Sequence, residues 1–334
     1  MHRMPSFSAV VEWENARLSG AARATRMLRQ LADQTRELSG FFDERPELIL
    51  LYEKGEVEPE AIERAVREAF GEQAPLDVRY HGTQGSNYYG QKNVGAELAA
   101  REYLLFLDSD VVPEPGWLRA LLSSIRPGVE VVAGSTYVDP SSFFGRAFAL
   151  FWFFPPRTAI EGLHETPTFF ANNVLFPRDL FLAYRFPDLP LYRGHCSVLG
   201  HRLRRNGVRL FVRADARVAH PPPNPHHFVH RALSEGYDLA TRASIGGEEK
   251  VFGAEELRRQ LGNMRMRVAN RLKLLEVGKR EIHAARMLAM TYCLLRFAGQ
   301  RWTARSPERA QKMLGIRTFG IESKGAAQLS QRPS

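Results

Sequence analysis

An α/β fold built on a wound, mostly parallel sheet with helices on both faces is predicted by two features of the chain. Over residues 7–135, short apolar runs alternate with amphipathic segments, the order expected of parallel strand–helix–strand units. Two of these runs, residues 48–51 and 103–107, are apolar without a polar alternate, as strands buried on both faces are.

Each element follows from its local pattern. Residues 7–13 read as the first strand. Residues 16–38 read as a helix, with Leu18, Ala22, Met27, Leu28 and Leu31 on one face. A second strand, 47–52, ends at Glu53, and a helix over 59–70 carries Pro59 in its first turn. Residues 76–80 form a third strand, 81–92 a loop rich in Gly, Asn and Tyr, and 94–101 a short helix. The strand Tyr103-Leu104-Leu105-Phe106-Leu107 then runs into Asp108-Ser109-Asp110.

Beyond it come a helix over 113–125 and a strand over 129–135. Residues 141–154 hold seven aromatic side chains, from Phe143 to Phe154, read first as core under a loop, with an acceptor platform or a membrane-facing edge as alternatives. Residues 169–181 read as a strand entering a helix. Asn172 and Asn173 lie in this apolar context, and their amides must either bind ligand or cross-link loops. A helix over 194–207 closes at Gly207, and short strands over 208–212 and 216–219 end at His220. The Pro-rich stretch 221–225 reads as a boundary between a domain over 1–225 and a basic helical region over 226–334.

In the second region Leu257, Leu261, Met264, Val268, Leu272 and Leu275 recur at spacings of three and four, with the arginines mainly elsewhere. Such a helix either packs on the first domain with a solvated basic face or lies on an anionic membrane. The small, polar tail after Arg317 is expected to fray.

Composition narrows the function. A length of 334 residues allows one large α/β domain with an appendage, or two domains. A net charge of +9 and a pI of 9.7 favour polyanionic partners. Two distant cysteines, Cys196 and Cys293, argue against a zinc ribbon or a disulfide framework. No apolar leader segment is read near the N-terminus, and the uncharged run 287–295 is too short to span a bilayer. A cytoplasmic chain is expected, with a peripheral position at the inner membrane face as the variant.

The chemistry centres on Asp108 and Asp110. They lie where a buried strand leaves the carboxyl edge of the sheet, the edge at which open α/β sheets bind ligands. Two carboxylates there suit a hard divalent cation that also grips phosphate oxygens. The plainer alternative is that Asp110 caps the following helix. Glu12 and Glu53 end strands at the same edge.

Four segments, in order and spacing, resemble the family 2 glycosyltransferases of GT-A fold. They are Ala9-Val10-Val11-Glu12-Trp13-Glu14-Asn15, then Lys92-Asn93-Val94-Gly95 with 103–110, then Ala171-Asn172-Asn173-Val174, then Val218-Ala219-His220. The resemblance spans roughly residues 7–225. It implies a nucleotide-sugar donor of UDP or GDP type and Mg²⁺ or Mn²⁺. Glu12, Asn15 and Glu53 would lie around base and ribose, and Lys92 near base or phosphates. Asp108 would meet ribose or sugar, with Asn93 and Asn173 also on the donor side. Asp110 would ligate the metal, with His220 as second ligand. The acceptor would be a glycan, a lipid-linked molecule or a small molecule, and no nucleic acid is expected.

One departure stands out. The resemblance leads one to expect a Glu-Asp pair before a Leu-x-x-Arg-Leu segment, whose aspartate deprotonates the acceptor in inverting transfer. Here Leu199-Gly200-His201-Arg202-Leu203 is preceded by His195 and Cys196. Either His195 is the base, or Glu161, Glu165 or Asp188 is, or the chain binds donor without turnover. A nucleotidyltransferase is the other enzymatic reading, though residues 10–20 carry no Gly-rich basic signature.

Overall fold

The computed structural model describes residues 3–245 and 252–318. The first half is built as strand, helix, strand. β1 (Phe7–Glu12) is followed by α1 (Glu14–Ser19) and α2 (Ala21–Glu37), then β2 (Glu47–Glu53), α3 (Pro59–Phe70), β3 (Asp77–Thr83), α4 (Tyr88–Leu98) and β4 (Tyr103–Asp108). The single helix expected over 16–38 is two. Gly20, at φ +95°, turns the chain between α1 and α2.

After β4 the elements shorten. β5 (Val112–Pro113) and α5 (Trp117–Leu122) replace the longer helix expected over 113–125. They lead to β6 (Val131–Val138), α6 (Phe143–Ala149), β7 (Leu163–Glu165), β8 (Asn173–Pro177), α7 (Arg178–Tyr184) and α8 (His195–Arg205). β9 (Leu210–His220) is one strand where two were expected. It stays paired with β6 across an irregularity at Gly134/Ser135 that absorbs the break. Four helices complete the described chain: α9 (Pro225–Ile245), α10 (Ala254–Arg271), α11 (Lys279–Arg305) and α12 (Pro307–Met313). The tail expected to fray, residues 319–334, lies outside the described residues.

The sheet order is β3-β2-β1-β4-β8-β6-β9-β5, with β7 on β9. It is parallel from β3 to β4, while β8 enters antiparallel to both β4 and β6. β1 and β4 are fully buried apart from the first residue of β4, which accounts for the unbroken apolar run over 103–107. Phe7, Leu28, Leu31, Leu105 and Trp117 fill one face of the sheet, and Val10, Phe106, Phe176 and Phe181 the other. α4 sits close on β1 because Gly95 has no side chain. A Cβ there would meet Val10 Cγ1 at 2.4 Å.

The appendage is packed into the same body. Most of the aromatic stretch is core: Phe148, Phe151, Trp152 and Phe154 are buried against Phe228, Met264, Val268 and Tyr292, while Phe143 and Phe144 are exposed. Arg271 donates to the carbonyls of Trp152, at 2.6 Å, and Ala149, at 3.0 Å. Met264 and Val268 of α10 face inward, and Arg258, Arg259, Arg265 and Arg267 are exposed. Among the described residues, no helix is long and apolar enough to cross a membrane.

Candidate active site

The carboxyl ends of β1 and β4 lie side by side, with Glu12 in register with Asp108. A cavity of about 460 Å³ opens beyond this edge. Asn15, Asp108 and Asp110 form its floor, Phe153, Phe154 and Phe170 an apolar side, and 220–224 its rim.

Asp108 is held from three sides. Lys92 Nζ lies 2.9 Å from its Oδ1, Tyr88 donates to the same oxygen at 2.6 Å, and Asn15 Nδ2 donates to Oδ2 at 3.1 Å. Asn15 also donates to both oxygens of Glu12, at 2.8 Å and 3.1 Å. Glu12 is fully buried. Burial, and then the negative charge of Asp108, push its carboxyl well above the usual carboxylate range.

Asp110 is brought to His220 by backbone pairing. β5, just after Asp110, pairs Val112 with Ala219. Arg23 clamps the junction, donating to the Asp110 carbonyl at 2.5 Å and the Ala219 carbonyl at 2.7 Å. The result places His220 Nε2 3.5 Å from Asp110 Oδ2. His220 Nδ1 lies 2.7 Å from the Pro221 carbonyl, so in the neutral ring Nδ1 carries the hydrogen and Nε2 presents its lone pair toward Asp110. Asp110 Oδ1 is buried without a hydrogen-bond partner in the protein. Burial raises the Asp110 carboxyl; His220 opposes the rise and Asp108 adds to it. An orphaned carboxylate oxygen beside an imidazole lone pair is a donor set for a divalent cation. Among the described residues, no cluster of three or more His, Cys, Asp or Glu offers a complete protein cage. Two protein ligands leave positions for substrate oxygens and water, as Mg²⁺ sites with phosphates do.

The remaining predicted residues separate. Lys92 is fully buried and neutralises Asp108 rather than reaching the cavity. Asn93 is a structural clamp: its amide donates to the Phe186 carbonyl at 2.9 Å and accepts from Phe186 N–H at 3.1 Å. Asn173 cross-links the sheet. It accepts from Trp117 Nε1 at 2.8 Å and donates to the carbonyls of Ser135 and Ala216, while its neighbour Asn172 reaches the cavity wall. Glu53 lies in a second, smaller cavity of about 180 Å³, with Ser86, Asn87 and Gln91. Its carboxylate accepts from Thr83 Oγ1 at 2.8 Å and from the N–H groups of Gly85 and Ser86.

His195 does not reach the cavity. Its ring is buried, stacked on Tyr89 with centroids 4.1 Å apart, and the flanking Gly194 and Cys196 line the wall instead. Burial, with Arg193 nearby, lowers its pKa to about 3, and the ring is a weak base there. Glu161, Glu165 and Asp188 are also absent from the cavity wall, and Glu165 pairs with Arg209 at the surface.

The sequence reading missed one whole wall. His227, Arg231, Glu235, Asp238 and Arg242 of α9 all line the cavity. Their spacings of four, four, three and four put them on one helix face, a signal that was present in the sequence. Arg193 joins them, stacked on the Tyr88 ring at 4.0 Å.

Comparison with known proteins agrees with this architecture. Residues 57–185 match the family model Glycosyl transferase family 2. A search of curated protein sequences found no match. Among solved structures, the chain is similar to a mannosyltransferase from Pyrobaculum calidifontis in complex with GDP-Man and Mn²⁺. The identity is 16%, the TM-score 0.51, and the match covers 100% of this chain and 82% of that one. It is also similar to GalNAc-T7 crystallised with UDP, GalNAc and Mn²⁺, at 13% identity and a TM-score of 0.52, over 72% of this chain and 51% of that one. At these identities the likeness establishes the GT-A fold.

Proposed function

We propose that this chain, whose residues 57–185 match the glycosyl transferase family 2 model, moves a glycosyl group from a nucleoside-diphosphate sugar to an acceptor hydroxyl, with Mg²⁺ or Mn²⁺ held between Asp110 and His220. The observation that carries the reading is the buried, unpartnered Oδ1 of Asp110, a residue that lines the cavity, with His220 Nε2 3.5 Å from the same carboxylate's Oδ2. The solved structures that share the fold contain Mn²⁺ with GDP-Man or UDP, which supports the donor class.

In this reading the cation, when bound, neutralises the diphosphate and its developing charge. The chain's own groups do the rest. Asp108, fixed by Lys92, Tyr88 and Asn15, presents a preorganised acceptor to the hydroxyls of ribose or sugar. The cavity at Glu53 and Gln91 takes the base. Arg193 and Arg231, which line the same cavity, supply positive charge.

A second reading, donor binding without turnover, is favoured by the non-acidic His195 and Cys196. One experiment addresses both. Calorimetry should detect Mn²⁺-dependent binding of UDP or GDP, lost in Asp110→Asn, and a donor screen should detect their release from UDP-glucose, UDP-GlcNAc or GDP-mannose. Binding without release leaves the second reading; binding indifferent to Mn²⁺ and to Asp110→Asn sinks both.

A further inference from the structure

Glycosyl transfer to a hydroxyl needs a proton acceptor, and the titratable groups of the cavity can be taken in turn. Asp108 is engaged by Lys92, Tyr88 and Asn15, and Asp110 faces His220. Burial keeps the Cys196 thiol protonated. His227, half-buried and beside Arg231, has its pKa lowered to about 3 by desolvation and that charge, and is too weak a base. On Glu235, burial is outweighed by Arg296 and Arg231. Arg296 pairs with it at 3.0 Å and the Tyr292 hydroxyl donates to it, and the net shift is downward. One carboxylate remains, and it lies on α9.

We propose that Asp238 is the general base, removing the proton of the acceptor hydroxyl. The proposal rests on the glycosyl-transfer reading above. Asp238 Oδ1 accepts from Tyr192 N–H at 2.6 Å and Oδ2 from Arg193 N–H at 2.7 Å. Each oxygen keeps a second lone pair, so the two bonds aim the carboxylate without exhausting it. Tyr192 and Arg193 lead directly into α8, so α9 delivers an acid to the same end of the helix where His195 and Cys196 supply none. Burial raises the Asp238 carboxyl, against the two N–H groups and the positive charges of Arg231 and Arg242, and a raised carboxylate is the better proton acceptor. In the step, the acceptor oxygen bonds to the anomeric carbon as its proton passes to Asp238. The bond from that carbon to the diphosphate oxygen breaks, and its electron pair leaves with the nucleoside diphosphate.

The test uses full-length protein, with release of UDP or GDP from UDP-glucose, UDP-GlcNAc or GDP-mannose, and water or a methyl glycoside as acceptor. Asp238→Asn should lower turnover at least about a hundredfold, the usual contribution of a general base. Mn²⁺-dependent UDP or GDP affinity should stay within about twofold. The base acts ionised, so wild-type kcat/KM should fall as pH drops through its pKa; this acid limb should vanish in Asp238→Asn and return in Asp238→Glu. Turnover of Asp238→Asn within about tenfold of wild type, or a surviving acid limb, overturns the proposal. If that variant does not fold, a wild-type rate flat from about pH 5 to 9 overturns it equally. Wild type that binds Mn²⁺ and nucleoside diphosphate but releases none from any donor overturns the base and leaves the donor site standing. Wild type that binds neither removes the site reading itself.

Discussion

Lys92 Nζ stands 2.9 Å from Asp108 Oδ1, and the lysine has no solvent exposure at all. The pair ties α4 to the end of β4 under the cavity floor. The ammonium also donates to the Leu107 carbonyl at 3.4 Å, and the Tyr88 ring lies 4.7 Å away. Polar and aromatic partners on several sides are what a buried ion pair needs to offset its desolvation.

Removing one partner should therefore be costly. Lys92→Met leaves Asp108 buried beside Glu12 with no cation, and it should destabilise the fold by about 3–5 kcal/mol. Adding Asp108→Asn in the same chain should recover part of the loss, since the uncompensated charge goes with it. Urea denaturation of the three variants measures this. A loss below about 1 kcal/mol in Lys92→Met would mean that the pair contributes no more than a surface contact does.

Glu12 gives stability a pH dependence of defined sign. Burial first, and Asp108 second, raise its pKa in the folded chain. A raised acid favours folding while protonated in both states, and that contribution is lost as pH rises through the folded value. Relative to Glu12→Gln, wild type should lose stability steadily as pH rises above about 4, the ordinary glutamate value. The glutamine also changes the hydrogen bonds to Asn15, but that offset does not vary with pH, so the slope carries the test. A stability difference constant from about pH 4 to 8 would count against a raised Glu12.

Much of the parallel half could be read in the chain. β1, β2 and β4 are buried, and their apolar runs and acidic ends survive as pattern. Polar residues in that half were harder to place. Lys92, Asn93 and Asn173 look alike in sequence whether they bind a ligand or satisfy the interior, because a buried polar group needs a partner in either case. The structure gives all three to the interior. Helix α9 was obscured for another reason. The prolines before it suggested a boundary, yet 220–224 rim the cavity and α9 continues as its wall. Cations and carboxylates mixed on one face resemble a solvated surface unless the partner across from them is known.

That wall is positioned by two glycines. A Cβ on Gly236 of α9 would stand 2.1 Å from the Arg296 carbonyl oxygen, and one on Gly299 of α11 would stand 2.3 Å from the Leu233 carbonyl oxygen. Both neighbours are helix backbone, so no flexible side chain can yield. Gly299→Ala should push α9 away from α11 and cost about 1–3 kcal/mol, the range for overpacking a core. Gly262 is the control. It lies exposed inside α10, with nothing within 4 Å of an added Cβ, so Gly262→Ala should instead stabilise by about 0.5–1 kcal/mol through helix propensity. Opposite signs in the two variants, read by thermal unfolding, would establish that close backbone approach holds α9. Because Arg231, Glu235, Asp238 and Arg242 share that helix, Gly299→Ala should also lower turnover, although its substituted atom lies on a different helix. A Gly299→Ala protein with unchanged stability and turnover would show that α9 does not depend on this crossing.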